Sequence, residues 1–566
     1  MKKKLLFVLS FLSLIASVSC AKNSSSSATP SIDVDGSTQD IDIEEDTITT
    51  GFSLKDESNT QVTGTDNVFK ITSGGTFVAS GKLSEGQIYV DAADQDVELD
   101  LEGLSLSNSS ISPIFVNNCA NFTLKVKKDT TNYIVDNRKT DYSTTTDETI
   151  GQAAIYVSNG DLKVNGKGTL SVTSIANSGI HGKDNVTIKN ATILVKAVNN
   201  GIKGNDKVTI EENPTLGIVA GNNGIRTSNS DLGSKAQHGY IYINGGTITI
   251  NSYGDGIDAA YAVEFGTSVD SDGITYSPVV DIYTNKYSSY SLTEVTSSTS
   301  SLKPFNFGPG GGGQGGPGGG FDGGGMSGGS AAEKADDSAK AVKANESITV
   351  SAGELFTYTY DDGFHTNIET LDTNVKSSGT ITFAGGNTKI KASDDGIHAD
   401  GTLNVNDGTI TVAESHEALE GNIINVKGGT VTACGSDDGV NASSQINISG
   451  GRLDVTVPSN GDYDGIDSNG SISITGGIVI TRGPNSDAMA PLDADGSITV
   501  SNATLIVVGY FSSRISYSGL TKTSLSGING TGDHTITVNG TEITYNNQYS
   551  YSGSTTVVGS GKATAK

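Results

Sequence analysis

From Leu403 to Ile480 the chain is written in short alternating runs: Leu403–Val405, Thr409–Val412, Ile423–Val426, Thr430–Thr432, Ile446–Ile448, Leu453–Val457, Ile472–Ile474 and Ile478–Ile480. Ile, Val and Leu alternate with Thr, Asn and Ser, the period-two pattern of strands with one buried face. The two strands of each pair are joined at a small-residue turn: Asp407-Gly408, Gly428-Gly429, Gly450-Gly451 and Gly476-Gly477. After the N-terminal leader no segment carries the helical period over an ordinary helix length. The pattern predicts an all-β chain.

A recurring phrase separates one strand pair from the next: SDDGIHADG from Ser393, SHEALEG from Ser415, SDDGVNA from Ser436, DYDGIDSNG from Asp462 and SDAMAP from Ser486. Its small pivotal residue falls at Gly396, Ala418, Gly439, Gly465 and Ala488, in steps of 22, 21, 26 and 23 residues. Such a step is too short for a strand, helix and returning strand, and it fits one turn of a β-solenoid. Earlier copies stand at Asn177–Asn185, Asn199–Asp206, Asn222–Asn229, Gly254–Ala259 and Asp361–Asn367. Ten pivots are therefore visible, and the core they predict is long, thin and built by stacking like positions.

Composition narrows the partners. Gly 73, Pro 10 and no Trp suit short strands and tight turns. Lys+Arg 36 against Asp+Glu 63 gives a net charge of −27, which argues against sequence-independent binding of nucleic acid, since that needs a positive field. An anionic glycan would meet the same repulsion unless cations intervened. At the N-terminus, Lys2–Lys4, the apolar run Leu5–Ile15 and Ser17-Val18-Ser19-Cys20 read as a bacterial lipoprotein signal over residues 1–19, with Cys20 lipidated. The expectation is an exported lipoprotein, anchored to a membrane at the cell surface only through that lipid. A plain secretory signal cleaved nearby is the alternative. Residues 20–50 read as a Ser-rich, acidic tether, 51–150 as an N-terminal cap and first coils, 151–510 as the solenoid and 511–566 as a short C-terminal β cap. Insertions are expected at 267–302 and in the Gly-rich stretch 308–329. Cys119 and Cys434 are expected as separate buried thiols, too few for a disulfide framework.

The phrases SDDGIHADG, NDGTITV, SHEALEG, VKGGTVT, SDDGVNA, YDGIDSNG and ITGGIVI resemble those of the carbohydrate-binding domain-containing proteins. So do Ser73–Leu106 and Lys128–Asn137, and the likeness runs from about Gly51 to Gly509. The resemblance implies an extracellular, right-handed parallel β-helix similar to that of pectate lyases, binding acidic plant-type polysaccharides and calcium. It does not by itself imply catalysis. The C-terminal segment from Tyr510 departs from the longer region expected of the family.

The pivots carry their own chemistry. The residue before each pivot is Ser178, Asn200, Asn223, Asp255, Asp362, Asp395, Glu417, Asp438, Asp464 and Asp487 in turn, neutral first and acidic afterwards. Carboxylates stacked about 4.8 Å apart repel by about 0.9 kcal/mol per pair even at the dielectric of water. Asp258, His398, Glu420 and Asp467 two places after the pivot, and Asp361, Asp394 and Asp437 two places before it, thicken the acidic strip. Oxygen donors of this kind suit Ca²⁺. The expected metal ligands are Asp255, Asp258, Asp394, Asp395, Glu417, Glu420, Asp437, Asp438, Asp464, Asp467 and Asp487. The alternative is that these are turn residues bonded to backbone N–H groups. Asn199, Asn200, Asn222 and Asn223 are expected to stack as amide ladders. Lys203, Arg226, Tyr358, Tyr360, His398 and Tyr463 are candidate sugar contacts. His181, His365 and His398 are read as turn residues, because no Cys/His spacing supports zinc.

Three functions compete: non-catalytic, calcium-dependent binding of an acidic, pectin-like polysaccharide; a lyase acting on uronates; and a structural or adhesive surface protein. A lyase needs a metal to acidify the proton next to the carboxylate and a base, for which Lys389, Lys391, Arg452 and Arg482 stand near the acidic turns.

Overall fold

The computed structural model describes residues 46–139, 150–229, 238–285, 338–371 and 376–566. The leader, Cys20, most of the tether and the Gly-rich stretch 308–329 lie outside the described residues. Among the described residues the regular structure is β, with no α-helix, and most strands run parallel.

Three ladders of parallel strands account for the repeat. The pivot phrase opens the first: Ser178–Gly182 lies between Ala153–Val157 and Ile202–Gly204, and the pairing continues strand by strand to Ile466–Ser468. The first alternating run of each coil forms the second ladder and the run after the glycine turn forms the third, as Asn185–Lys189 and Thr192–Ala197 illustrate. Like residues meet in register. Ile180, Ile202, Ile225, Ile257, Val342, Phe364, Ile397, Leu419, Val440 and Ile466 form one continuous buried column. Each such side chain contributes about 1.5–3 kcal/mol by leaving water, which is why alternating Ile and Val specify the register so firmly.

Two kinds of glycine serve the coil differently. Turn glycines such as Gly408, Gly429, Gly451 and Gly477 sit at φ between +71° and +97°, where a side chain is strained. Pivots are glycine for space. A Cβ on Gly201 would stand 2.3 Å from Ile218 Cγ2 and 2.7 Å from the Gly224 carbonyl oxygen.

Three sequence expectations need correction. Part of the expected insertion at 267–302 is coil: Val279–Thr284 lies in the third ladder between Thr247–Ser252 and Glu354–Tyr358, after a hairpin pairing Ser268–Val269 with Thr275–Tyr276. An eleventh pivot, Ala341, interposes a strand, Val342–Ala344, between Ile257–Ala259 and Phe364–Thr366. Its Lys340 and Ala341 stand where other coils carry an acid or amide and glycine, so this coil lacks the repeated phrase. The last pivot is Pro491, not Ala488, because Gly465 and Ile466 N–H donate to the carbonyls of Ala490 and Pro491. Asp487 is thereby displaced from the acidic column, and Ala490 occupies its place.

At each end of the stack an antiparallel strand covers part of the sheet edge. Ser53–Asp56 pairs with Phe77–Ser80 at the N-terminal end. At the other end Thr504–Gly509 pairs with Ser554–Gly559, and Gly532–Val538, Thr541–Asn547 and Ala563–Ala565 form a separate three-stranded sheet. Cys119 and Cys434 are buried, free thiols.

Candidate functional site

The pivot turns bring two columns of polar side chains to one edge of the stack, three residues apart in each coil. The residue before the pivot gives Ser178, Asn200, Asn223, Asp255, Lys340, Asp362, Asp395, Glu417, Asp438, Asp464 and Ala490. Two places after the pivot stand His181, Lys203, Arg226, Asp258, Lys343, His365, His398, Glu420, Asn441 and Asp467, each a register partner of the next. The edge is basic or neutral above Asp255, mixed around Lys340 and acidic below.

The first column is bonded to the backbone. Asp395 N–H donates to Asp362 Oδ1 at 3.1 Å, Glu417 N–H to Asp395 Oδ1 at 3.1 Å and Asp464 N–H to Asp438 Oδ1 at 2.7 Å. Asp255 likewise accepts from Lys340 N–H at 2.8 Å. Asp255, Asp362, Asp395, Asp438 and Asp464 therefore each cap the next coil through one oxygen, whereas Glu417 accepts from Asn441 Nδ2 through both of its oxygens. The turn-forming role weighed against metal binding is thus present, and it leaves the second oxygen for another partner.

Several expected ligands have protein partners. Asp258 accepts from Asn223 Nδ2 at 2.9 Å and lies 3.3 Å from Arg226 Nε, while Asp255 also accepts from Ser338 Oγ at 2.8 Å. Lys340 Nζ is 2.6 Å from Asp361 and 3.4 Å from Asp362. His398 is ringed by carboxylates: Nδ1 lies 2.9 Å from Glu420 and 3.2 Å from Asp395, and Nε2 lies 3.4 Å from Asp400. Its ring nitrogens are thus engaged by acids, while a quarter of the side chain stays exposed. His365 Nδ1 is 2.5 Å from Asp362.

Burial and crowding hold protons on this edge. Burial, then the charges of Glu420 and Asp395, push Glu417 up to about 9. Burial also raises Asp394, Asp438 and Asp467 to about 6 and Asp464 to about 7, with neighbouring carboxylates adding to it. For His398 burial opposes the charge, but bonds to Asp395, Asp400 and Glu420 outweigh it and carry the ring to about 12.

Donor atoms converge, within 4.8 Å of one another, in five groups of three among the described residues. Only Asp361, Asp362 and Asp394 form an oxygen-only group. The other four include a histidine: Asp362, His365 and His398; Asp395, His398 and Glu420; Asp394, Asp395 and His416; His416, Glu417 and Asp437. Asp438, Asp464 and Asp467 influence one another electrostatically further along the edge without meeting in such a group.

The other candidates are dispersed. Tyr358 lies in the third ladder with Lys391 Nζ 5.5 Å from its ring centroid, Tyr360 is 46% exposed two residues on, and Tyr463 is half-buried beside the Asp464 turn. The amide ladder runs through Asn177, Asn199 and Asn222 at 2.9 and 3.1 Å; Asn200 donates to Ser178 and Asn223 to Asp258 instead. A second amide ladder joins Asn404, Asn425 and Asn447 at 3.1 and 3.0 Å, and its signal in the sequence is an asparagine recurring after 21 and 22 residues inside the aligned strands. On the outer face of the second ladder, Glu98, Thr123, Lys163, Thr187 and Lys189 line a depression of about 650 Å³ that shares no residue with the acidic edge.

The family model of the carbohydrate-binding domain-containing proteins matches residues 65–372. The chain belongs to that family. The matched span covers Lys203, Arg226, Asp255, Asp258, Tyr358, Tyr360 and His365, and ends before the acidic coils from Asp394 onward. A carbohydrate-binding domain-containing protein of Acetivibrio thermocellus is 30% identical over 200 residues, which are 35% of this chain and 68% of the relative. A solved polysaccharide lyase-like protein from C. thermocellum, a gadolinium derivative, is 27% identical with a TM-score of 0.34, covering 39% of this chain and 84% of its own.

Proposed function

We propose that the protein binds an acidic, pectin-like polysaccharide without cleaving it, and that Ca²⁺ held at the acidic edge bridges to the sugar carboxylates. Family membership supports a polysaccharide partner, and the single observation that carries the finer reading is the acidic edge itself. Asp438, Asp464 and Asp467, with Glu417 and Asp437, offer half-buried oxygen donors, and Asp438 and Asp464 each commit one oxygen to a backbone N–H. Such donors fit the irregular oxygen shells of Ca²⁺, which would supply the positive charge that an anionic glycan needs here. The winding is taken as right-handed, the hand of nearly all parallel strand crossovers.

Three of the four candidate bases of the lyase alternative are engaged within the protein, and Lys389 is exposed. Arg482 is buried in a pair with Asp454, Arg452 bonds the same carboxylate, and Lys391 lies over Tyr358. A glycan array carrying polygalacturonate, read with calcium and with chelator, tests the proposal. Binding should require calcium and fall at least tenfold in Asp438→Asn with Asp464→Asn, changes that keep an acceptor for the backbone. Full binding in chelator would remove calcium from the account. Accumulation of unsaturated uronate absorbance would instead make the protein a lyase.

The same reading places the chain at the cell surface, tethered through lipid on Cys20. Cys20→Ala should move the protein from the membrane to the soluble fraction. Unchanged membrane association would refute the anchor.

A further inference from the structure

We propose that Asp362, His365 and His398 form a site for a divalent transition-metal ion of the zinc, manganese or iron class. The inference goes beyond the calcium reading, because two of the three donors are imidazole nitrogens and it draws on a different stretch of the edge. Calcium selects oxygen; mixed nitrogen and carboxylate donors select first-row transition metals.

The fold fixes the geometry. His365 and His398 are 33 residues apart in sequence yet are register partners in adjacent coils, with ring centroids 4.6 Å apart. Asp362 precedes His365 by three residues, which brings its Oδ2 to 2.5 Å from His365 Nδ1 while its Oδ1 accepts the Asp395 N–H. One donor atom from each of the three lies within 4.8 Å of the other two. Small rotations of the side chains bring such a set to the separation that bonds of about 2.0–2.1 Å require.

The surroundings are those of a metal ligand set. Asp400 stands 3.4 Å from His398 Nε2, where an outer carboxylate fixes the tautomer and leaves Nδ1, beside Asp395 and Glu420, as the ligand nitrogen. With both imidazoles neutral, as metal binding requires, Asp361, Asp362, Asp395, Asp400 and Glu420 face the ammonium groups of Lys340 and Lys343. Negative charge stays in excess, and a dication offsets most of it. The side chain of Asp362 is 4% exposed, that of His365 12% and that of His398 25%, so the site opens on the His398 side. Three protein donors and an open side leave a position for water or a ligand oxygen.

The competing arrangement is an ion-pair network with protonated histidines, and metal titration separates the two. The full chain, stripped by chelator, is titrated with Zn²⁺ and with Co²⁺, and separately with Ca²⁺. One equivalent of Zn²⁺ or Co²⁺ should bind, with visible cobalt bands, and X-ray absorption should report imidazole nitrogen in its shell. His365→Gln and His398→Gln should each weaken zinc at least tenfold while leaving calcium uptake intact. Asp400→Asn should weaken zinc by about 10–100-fold with the fold retained, as expected of an outer-shell partner. The wild type failing to take up zinc or cobalt, binding that is unchanged in both histidine variants, or an oxygen-only shell would overturn the proposal. Loss of calcium uptake in Asp438→Asn with zinc retained, or no calcium uptake at all, bears on the calcium reading alone.

Discussion

Asp454→Ala should destabilise the C-terminal end of the stack by about 3–5 kcal/mol, the usual result of stranding one member of a buried ion pair. Arg482 is 1% exposed, and its Nη1 lies 2.6 Å from Asp454 Oδ1. The same guanidinium donates to Asn547 Oδ1 at 2.9 Å and to the Val455 carbonyl at 2.8 Å, with its carbon 5.2 Å from the Tyr545 ring centroid. Asn547 and Tyr545 belong to the three-stranded sheet, so this arginine rivets that sheet to the third ladder. Removing the carboxylate leaves a cation with no compensating charge in a dry interface. Because a stack of coils need not unfold as one unit, the readout is local. Hydrogen exchange and proteolysis across residues 532–565 should accelerate by two orders of magnitude or more, while the first coils stay protected. Uniform protection in the variant would show that the sheet is held by its apolar contacts alone.

The second large effect concerns acid. His181 is fully buried against Tyr156, with Nε2 3.0 Å from Asn205 Oδ1 and Nδ1 lacking a hydrogen bond. Burial, reinforced by the charges of Lys203 and Lys183, drives its pKa from 6.5 to about 3. The unfolded chain therefore binds a proton that the folded chain refuses between these values, and stability falls as pH drops through that window. At pH 4 the difference amounts to about 3 kcal/mol, taking 1.36 kcal/mol per pKa unit. Acidic groups with raised pKa values, Glu417 foremost, act in the opposite direction over pH 4.5 to 9, so the measured quantity is a difference between variants. His181→Gln keeps a partner for Asn205 and removes the titration. Its unfolding free energy relative to wild type should improve by about 3 kcal/mol between pH 7 and pH 4. Parallel pH profiles would show that His181 is charged in the folded protein.

Much of this architecture was written in the alternation. Ile202, Ile225 and Ile257 in successive phrases announce a buried column, and register follows because a one-residue slip would expose all of them. The acidic run before the pivots was equally visible, since the repeat aligns it. Coils whose phrase departs from the repeat are not legible in the same way. Lys340-Ala341 hid a whole turn of the stack, and Ala490-Pro491 moved the final pivot three residues, taking Asp487 out of the column. The alternation of Val279–Thr284 is masked by the Ser, Thr and Tyr-rich stretch around it.

The sequence by itself determined the all-β class, the stacking of coils and the strip of polar residues beside each pivot, because these depend on local periodicity repeated at near-constant spacing. It did not determine which polar groups meet. His365 and His398, or Arg482 and Asn547, become neighbours only when coils stack and the last sheet folds back, bringing together residues 33 and 65 positions apart. Tertiary structure also decided what each acid does, since a carboxylate that caps the next coil, pairs with Arg226 or surrounds a histidine has the same identity in sequence. Periodicity fixes where a side chain stands along the stack, and only three-dimensional packing fixes its partner, its burial and hence its charge.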